Sequence, residues 1–448
     1  MHRPLEQALA IFRRTSVQIA IIFALATLMR GTQPLLFDAY HYWLGAQHIV
    51  GTSPEALENY WELRGVWTSI VYAPAAALTR LMGAPWATFA VLLQNTLVLS
   101  WFAAHLLPTL ASRLAPWSPR ARWIAAGLLW VVTSGFASSS LVDIYAAIGC
   151  FAIVALIRSQ RPSTLVLAGV LGGIVVNLRP AYVVVVALIV LITLISHKMA
   201  AIGMPLGFAL ALAPQVILNI GQFGHRSASP LLSDYLATLQ AGLGSYTIRY
   251  DTVHGSDVPQ QFYCSPDMAA RVADDVPTST AGLARTLLSN LPDSLVFSLE
   301  KIAAALHWPA NTPYGADSPG LDAIHAILIT TMTVVGISVL ARTFRRRSDW
   351  TDGRQVEALG FLAILIGAVV AIVGSATEAR FALPLAVLGA LGCALLSDNP
   401  LRTLTSSQRR WIGVTCATLA ITLTLGYIGL SNPADPGGVD AEICGLLG

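Results

Sequence analysis

The sequence predicts an all-α polytopic membrane protein with about 11 transmembrane helices, juxtamembrane helices and one large extracytoplasmic loop. Three observations carry this. Of 448 residues 55% are hydrophobic and only 11% charged, with mean hydropathy +0.64, whereas a soluble domain carries about 25% charged residues. Long uncharged stretches recur from Val17 to Leu430, so the apolar surplus is spread over many segments instead of one anchor. The basic residues also fall into alternate connections. The net charge is +3 and the longest basic run is Arg345-Arg346-Arg347, which makes nucleic acid an unsuited partner. The signatures GxxxxGK[ST], GxGxxG, HExxH, CxxC and GxSxG are missing, and with them the sequence marks of nucleotide hydrolysis, dinucleotide binding, zinc proteolysis and serine hydrolysis.

Backbone polar groups must be satisfied within each span in lipid, so the apolar stretches are read as helices of roughly 20 residues. They are 17–36, 86–110, 122–138, 143–157, 163–178, 180–196, 200–219, 321–341, 356–375, 381–396 and 411–430. With a cytoplasmic N-terminus, 17 of the 27 basic residues fall inside, among them Arg13, Arg113, Arg158, Lys198, Arg354 and Arg409. This agrees with the positive-inside rule. The chain then divides into an N-terminal transmembrane module 1–219 with a first extracytoplasmic loop 37–85, a large extracytoplasmic loop 220–320, C-terminal helices 321–430 and a tail 431–448. Ala24-Leu25-Ala26 is not read as a cleavage site, because the apolar run continues past it. Segment 66–82 holds Pro74 and Arg80 and reads as an interfacial helix on the outer leaflet. Cys150, Cys393 and Cys416 fall inside spans, while Cys264 and Cys444 fall outside, where they either pair as a disulfide or stand as unrelated thiols.

Charged residues at the outer ends of spans are costly and are candidate site residues. Asp38 follows the first span within Phe37-Asp38-Ala39-Tyr40-His41-Tyr42-Trp43, where a carboxylate among aromatic rings suits a sugar face; the bland reading is a cap in an aromatic belt. Asp143 opens the fourth span after Ser138-Ser139-Ser140, where a first-turn carboxylate also favours the helix dipole. Arg179 in Asn177-Leu178-Arg179-Pro180 and the pair Glu378 and Arg380 lie at outer turns. A planar guanidinium there fits a lipid-linked phosphate; the bland readings are head-group anchoring or a Glu378–Arg380 pair. His41 and His48 share a helix face but lack companions at ligand spacing. No metal site is assigned and the sequence fixes no cofactor, a divalent metal being the candidate left open.

A loop as long as 220–320 is usually functional. Leu283, Leu287, Leu291, Leu295, Leu299, Ile302 and Leu306 recur at three- and four-residue steps, with Arg285, Asp293, Glu300 and Lys301 between them. That amphipathic pattern suits a helix over a cavity or the bilayer surface. It ends in a proline-bounded turn that carries Trp308 and Tyr314. Gly169 and Gly173 form a GxxxG, a close-packing signal.

In their order along the chain, Asp38, segment 66–82, Asp143 and the loop 220–320 resemble the GT-C superfamily of membrane glycosyltransferases, which includes protein O-mannosyltransferases and aminoarabinose transferases. Glu378-Ala379-Arg380-Phe381-Ala382-Leu383-Pro384 is similar to the E-x-R-[YF]-x-x-P stretch of bacterial members, and Tyr72-Ala73-Pro74 sits where many carry a proline-rich entry to a juxtamembrane helix. The chain departs from the family where Ala39 replaces the second acidic residue of the mannosyltransferase Asp-Glu pair, and where the His-Pro-Pro of some members is missing.

The resemblance implies a bacterial inner-membrane enzyme that moves a sugar from a polyprenyl-phosphate donor to a glycan, lipid or protein acceptor on the extracytoplasmic face. Its implied site has Asp38 as general base with inversion, Arg179 and Arg380 on the departing phosphate, and Asp143 orienting His41 or the acceptor. Tyr40, Tyr42, Trp43 and Trp308 would stack on sugars, with Glu378, Lys301 and Tyr314 completing the substrate-binding set. The rival readings are an O-antigen polymerase or ligase, a transporter, and a non-catalytic structural or sensor protein. A transporter should show repeated halves and midplane charges, whereas the candidate charges here gather at one face.

Overall fold

The computed structural model describes residues 2–53, 60–115, 117–252, 260–314, 318–345, 352–398 and 406–434. The chain is a helical membrane protein. Among the described residues, seven helices are long and apolar enough to cross a bilayer: Ala84–Leu114, Pro180–His197, Gly203–Phe223, Pro319–Arg345, Gly353–Val373, Ala379–Asp398 and Ser406–Gly429. Each of the other four expected segments is helical but shorter in apolar length, at Thr15–Leu28, Asp143–Ile157 and Pro162–Leu178, with Pro119–Thr133 as the fourth. The first helix runs His2–Leu28 and stops before the expected end at 36. Gly31 adopts φ +78° and Pro34 follows, a pairing that a helix does not accommodate.

Segment 66–82 is not one helix. It divides into Trp67–Ile70 and Ala73–Met82, both packed by buried Ser69, Ala75, Ala76 and Thr79 against the bundle.

Close helix packing rests on glycine. A Cβ on Gly169 would lie 1.9 Å from the Met204 carbonyl, and one on Gly207 would lie 2.0 Å from that of Val166. Helices Pro162–Leu178 and Gly203–Phe223 therefore touch backbone to backbone, as the GxxxG signal implies. Gly336, Gly389 and Gly392 do the same between Pro319–Arg345 and Leu383–Asp398, the latter being buried along most of its length.

The stretch 220–320 carries helices Ser233–Gly244, Pro266–Val272, Thr280–Ser289 and Leu291–Leu306. It also holds an antiparallel hairpin, Thr247–Thr252 with Gln260–Cys264, which Pro433–Ala434 extends to three strands. This small sheet modifies the all-α expectation, and it ties the start of the tail to the loop. Tyr246, Ile248, Met268, Val272 and Phe297 form a second small core beneath it. Cys264 is disulfide-bonded, whereas Cys150, Cys393 and Cys416 are free; Cys444 lies outside the described residues.

The two ends of the bundle differ. At the end away from the loop, Glu357 meets Arg113 at 2.5 Å and Arg158 at 3.8 Å. The N-terminal ends of Phe37–Ile49 and Asp143–Ile157 meet the turn after Pro162–Leu178 and the turn after Gly353–Val373 at the opposite end, beneath the loop.

Candidate functional site

Asp38 stands in the first turn of helix Phe37–Ile49. The residue before it, Phe37, has φ +50°, which a bulky side chain adopts only under strain of about 1–3 kcal/mol and only where the surroundings impose it. Here the Phe37 ring packs edge-on against Tyr314 at 5.3 Å, and the Ala39 carbonyl accepts from Ser140 Oγ at 2.5 Å. Those contacts fix where the Asp38 carboxylate points.

Asp143 is placed by a polar network on its own loop. Asn95 Nδ2 donates to the carbonyls of Ala137 and Ser139 at 3.0 and 2.9 Å, and Tyr72 donates to that of Leu141 at 2.7 Å. Arg64 is held by amides that project from the bundle: Gln215 Oε1 accepts from Val66 N–H at 2.8 Å, and Asn177 Oδ1 from Trp67 N–H at 3.0 Å. Gly65 is required there, because its Cβ would lie 2.2 Å from the Asn177 carbonyl.

These anchors bring three carboxylates against three guanidinium groups. Arg380 is the hub. Its Nη2 donates to Asp38 Oδ2 at 2.8 Å and also to Glu378, and its Nη1 donates to Tyr314 at 2.9 Å and lies 3.8 Å from Asp143 Oδ2. Arg179 reaches Asp143 Oδ1 through Nε and Nη2 at 2.8 and 2.5 Å and lies over the Phe381 ring at 5.0 Å. Arg64 donates to Asp38 Oδ1 at 2.7 Å and covers the Tyr42 ring at 5.7 Å. Tyr250 donates to Glu378 Oε1 at 2.5 Å.

Exposure is graded across the cluster. The side chains of Arg64 and Asp38 are 33% and 22% exposed and that of Arg179 is 12%, while Asp143, Glu378 and Arg380 are buried. Asp38 and Arg64 are thus the members of the cluster most open to the surroundings.

The electrostatics separate the two carboxylates that share Arg380. Burial opposes ionisation of Asp38, but Arg64, Arg380 and Arg179 outweigh it and hold its carboxyl well below the usual carboxylate range. Burial pushes Glu378 up, and Arg380 offsets this only in part while Asp38 adds to it. Carboxylates driven apart in this way are a common mark of acid–base sites. Among the described residues, no group of three or more His, Cys, Asp or Glu is placed to hold a metal ion.

Of the residues singled out in the sequence, Asp38, Tyr42, Asp143, Arg179, Tyr314, Glu378 and Arg380 come together. Asp143 is engaged by Arg179, as a buried carboxylate requires, while His41 is exposed and packs on the Tyr40 ring at 6.0 Å. Tyr40 lies on the same exposed side, and Trp43 turns into the core. Trp308 is buried against Phe136, its indole N–H donating to the Ala305 carbonyl at 2.7 Å.

Lys301 also stands apart from the cluster. It is fully buried, and burial alone pulls its ammonium down to about 7 from the ordinary 10.5. Between those values the unfolded chain binds one more proton than the folded one, so this group makes stability rise as pH rises through that window and withdraws the gain as pH falls through about 7. Thermal unfolding followed from pH 6 to pH 10 should therefore show an increase in the wild type that is missing in Lys301→Met, all other titrating groups being common to both proteins.

Arg64 and Tyr250 are the two members that sequence reasoning passed over. Neither carries a motif. The available signal for Arg64 was the buried amide set Asn177, Gln215 and Asn219 inside apolar spans, which points at the loop that it holds. No protein-family model matches the chain, and no curated protein matches it either.

Proposed function

We propose that the chain is a membrane glycosyltransferase that moves a sugar from a polyprenyl-phosphate donor to an acceptor hydroxyl of a glycan, lipid or protein at the extracytoplasmic face of a bacterial inner membrane. The observation that carries the reading is the ion cluster at the loop end of an apolar bundle, with one carboxylate and two guanidinium groups at its exposed edge. A lipid tail accounts for the membrane setting, and a phosphate leaving group suits planar, permanently charged donors. The basic residues Arg113 and Arg158 at the opposite end support a cytoplasmic assignment of that end.

In the reaction the acceptor oxygen attacks the anomeric carbon as the bond from that carbon to the phosphate oxygen breaks. Asp38 takes the acceptor proton, polyprenyl phosphate leaves, and direct displacement inverts the anomeric centre. A carboxylate held far down by guanidinium neighbours is a weak base at rest. Arg64 is its exposed partner. When Arg64 turns toward the donor phosphate, Asp38 loses one of the charges that depress it and becomes a better proton acceptor exactly when the donor is bound. Arg179 neutralises the phosphate from the other side, while Arg380 keeps Asp38 aimed.

The test is transfer of radiolabel from a panel of polyprenyl-phosphate sugars in membranes that express the chain. Arg64→Gln should lower kcat/KM roughly 10- to 100-fold, the cost of about one charge-assisted hydrogen bond. It should also move the acid limb of the pH–rate profile upward, because removing a cation raises the Asp38 pKa. An acid limb that stays in place or moves down would remove Arg64 from this role.

A further inference from the structure

We propose that Lys301 is a positioning residue, one that fixes the Glu378–Arg380 turn by gathering the carbonyls of Gly244, Val373 and Ser375 around its amino group. The proposal rests on the glycosyl-transfer reading for its kinetic consequence, and on geometry for the rest. Nζ donates to those carbonyls at 2.9, 3.3 and 2.6 Å, and an ammonium has three N–H bonds to give.

Among the described residues no carboxylate pairs with Nζ. The Phe297 ring lies 5.0 Å away on the same helix. The charged groups on the surrounding elements are engaged elsewhere: Arg249 on the Ala304 and His307 carbonyls and on Asp251, and Glu378 on Arg380 and Tyr250. Glu300, next in the chain, is half-buried. A buried lysine without a counter-ion is costly, so its place in the fold calls for a task.

The acceptors indicate the task. Val373 ends helix Asp352–Val373, where orphan carbonyls favour a cation, and Ser375 leads directly into Thr377 and Glu378. Gly244 belongs to the large loop, and its Cβ would lie only 3.0 Å from the Ser375 carbonyl carbon. Two further bonds grip the same stretch from the loop. Gln240 Oε1 accepts from Ala376 N–H at 3.0 Å, and Tyr250 N–H donates to the Thr377 carbonyl at 2.8 Å. The large loop thus sets the backbone from which Glu378 and Arg380 project, and Lys301 is its most buried tie.

The test compares wild type, Lys301→Met and Lys301→Arg as full-length protein in lipid nanodiscs. Hydrogen exchange is read over residues 373–380 and over Leu383–Asp398, together with kcat and donor KM. In Lys301→Met, protection over 373–380 should fall at least tenfold while Leu383–Asp398 stays protected. The value of kcat should fall at least tenfold with KM changed less than twofold, and Lys301→Arg should recover part of both. Unchanged protection over 373–380, protection lost equally along the whole chain, or a kcat that survives the loss of protection each overturns the proposal. If wild type transfers no sugar from any donor, the glycosyl-transfer reading falls by itself, and the exchange pattern still decides whether Lys301 holds the turn.

Discussion

Replacing Asp38 by Asn is expected to lower sugar transfer roughly 10²- to 10⁴-fold, the range that a positioned proton acceptor contributes, with little loss of folded protein. The substitution is nearly isosteric. It leaves an amide oxygen for one of Arg64 and Arg380, which donate to different oxygens of Asp38, and turns the amide nitrogen toward the other, while Arg380 keeps Glu378 and Asp143 as anionic neighbours. Donor KM should change little, because the groups facing the phosphate are unaltered, so the loss should fall on kcat. Expression level and thermal unfolding in detergent check the first half of this statement and transfer kinetics the second. Normal folding with undiminished kcat would mean that the acceptor proton goes elsewhere.

The second large effect is on stability. Arg380→Met removes a guanidinium that touches Asp38, Glu378 and Tyr314 together, with Asp143 at 3.8 Å. Glu378 and Asp143 are both buried, and a buried charge stripped of its partner costs about 3–5 kcal/mol. The variant should unfold at a markedly lower temperature and lose transfer. Adding Glu378→Gln should recover part of the stability, since one of the stranded carboxylates is then gone, without recovering activity. Arg380→Lys should rescue little, because a single ammonium cannot reproduce contacts made through two separate nitrogens. Thermal unfolding of the three variants measures this. Equal stability of Arg380→Met and wild type would show that the cluster contributes nothing to the fold.

The helices were legible in the sequence because uncharged runs of helical length have few other uses, and all eleven segments are helical. Their ends were less so. The helix that ends at Leu28 was read to 36 because Leu35, Leu36 and Phe37 continue the apolar run, while Gly31 and Pro34 quietly end the helix. The hairpin Thr247–Cys264 was illegible for a different reason. Ile248 and Tyr250 do alternate with Arg249 and Asp251, but over too few residues to stand out beside the apolar spans, and the partner strand Pro433–Ala434 lies more than 160 residues further on.

Within the site, Asp38, Asp143, Arg179, Glu378 and Arg380 were legible as charges at span ends, where hydrocarbon makes each one expensive. What periodicity could not reveal was their pairing. Arg380 joins Asp38 across 342 positions, a pairing that the tertiary fold makes and local periodicity does not encode. Arg64 looked like any loop arginine because its placement comes from amides on two distant helices. Lys301 carried a charge on an amphipathic helix and suggested a ligand, whereas the tertiary structure gives its three hydrogens to backbone carbonyls.

The central claim is best tested with purified wild type and Asp38→Asn in nanodiscs, supplied with a polyprenyl-phosphate sugar labelled in both the lipid and the sugar and with an acceptor extract. The expected result for wild type is one polyprenyl phosphate released per sugar transferred, with the product anomer inverted, and a rate at least a hundredfold lower for the variant. An intact donor with both proteins, or release and transfer at equal rates in the two, would contradict the account.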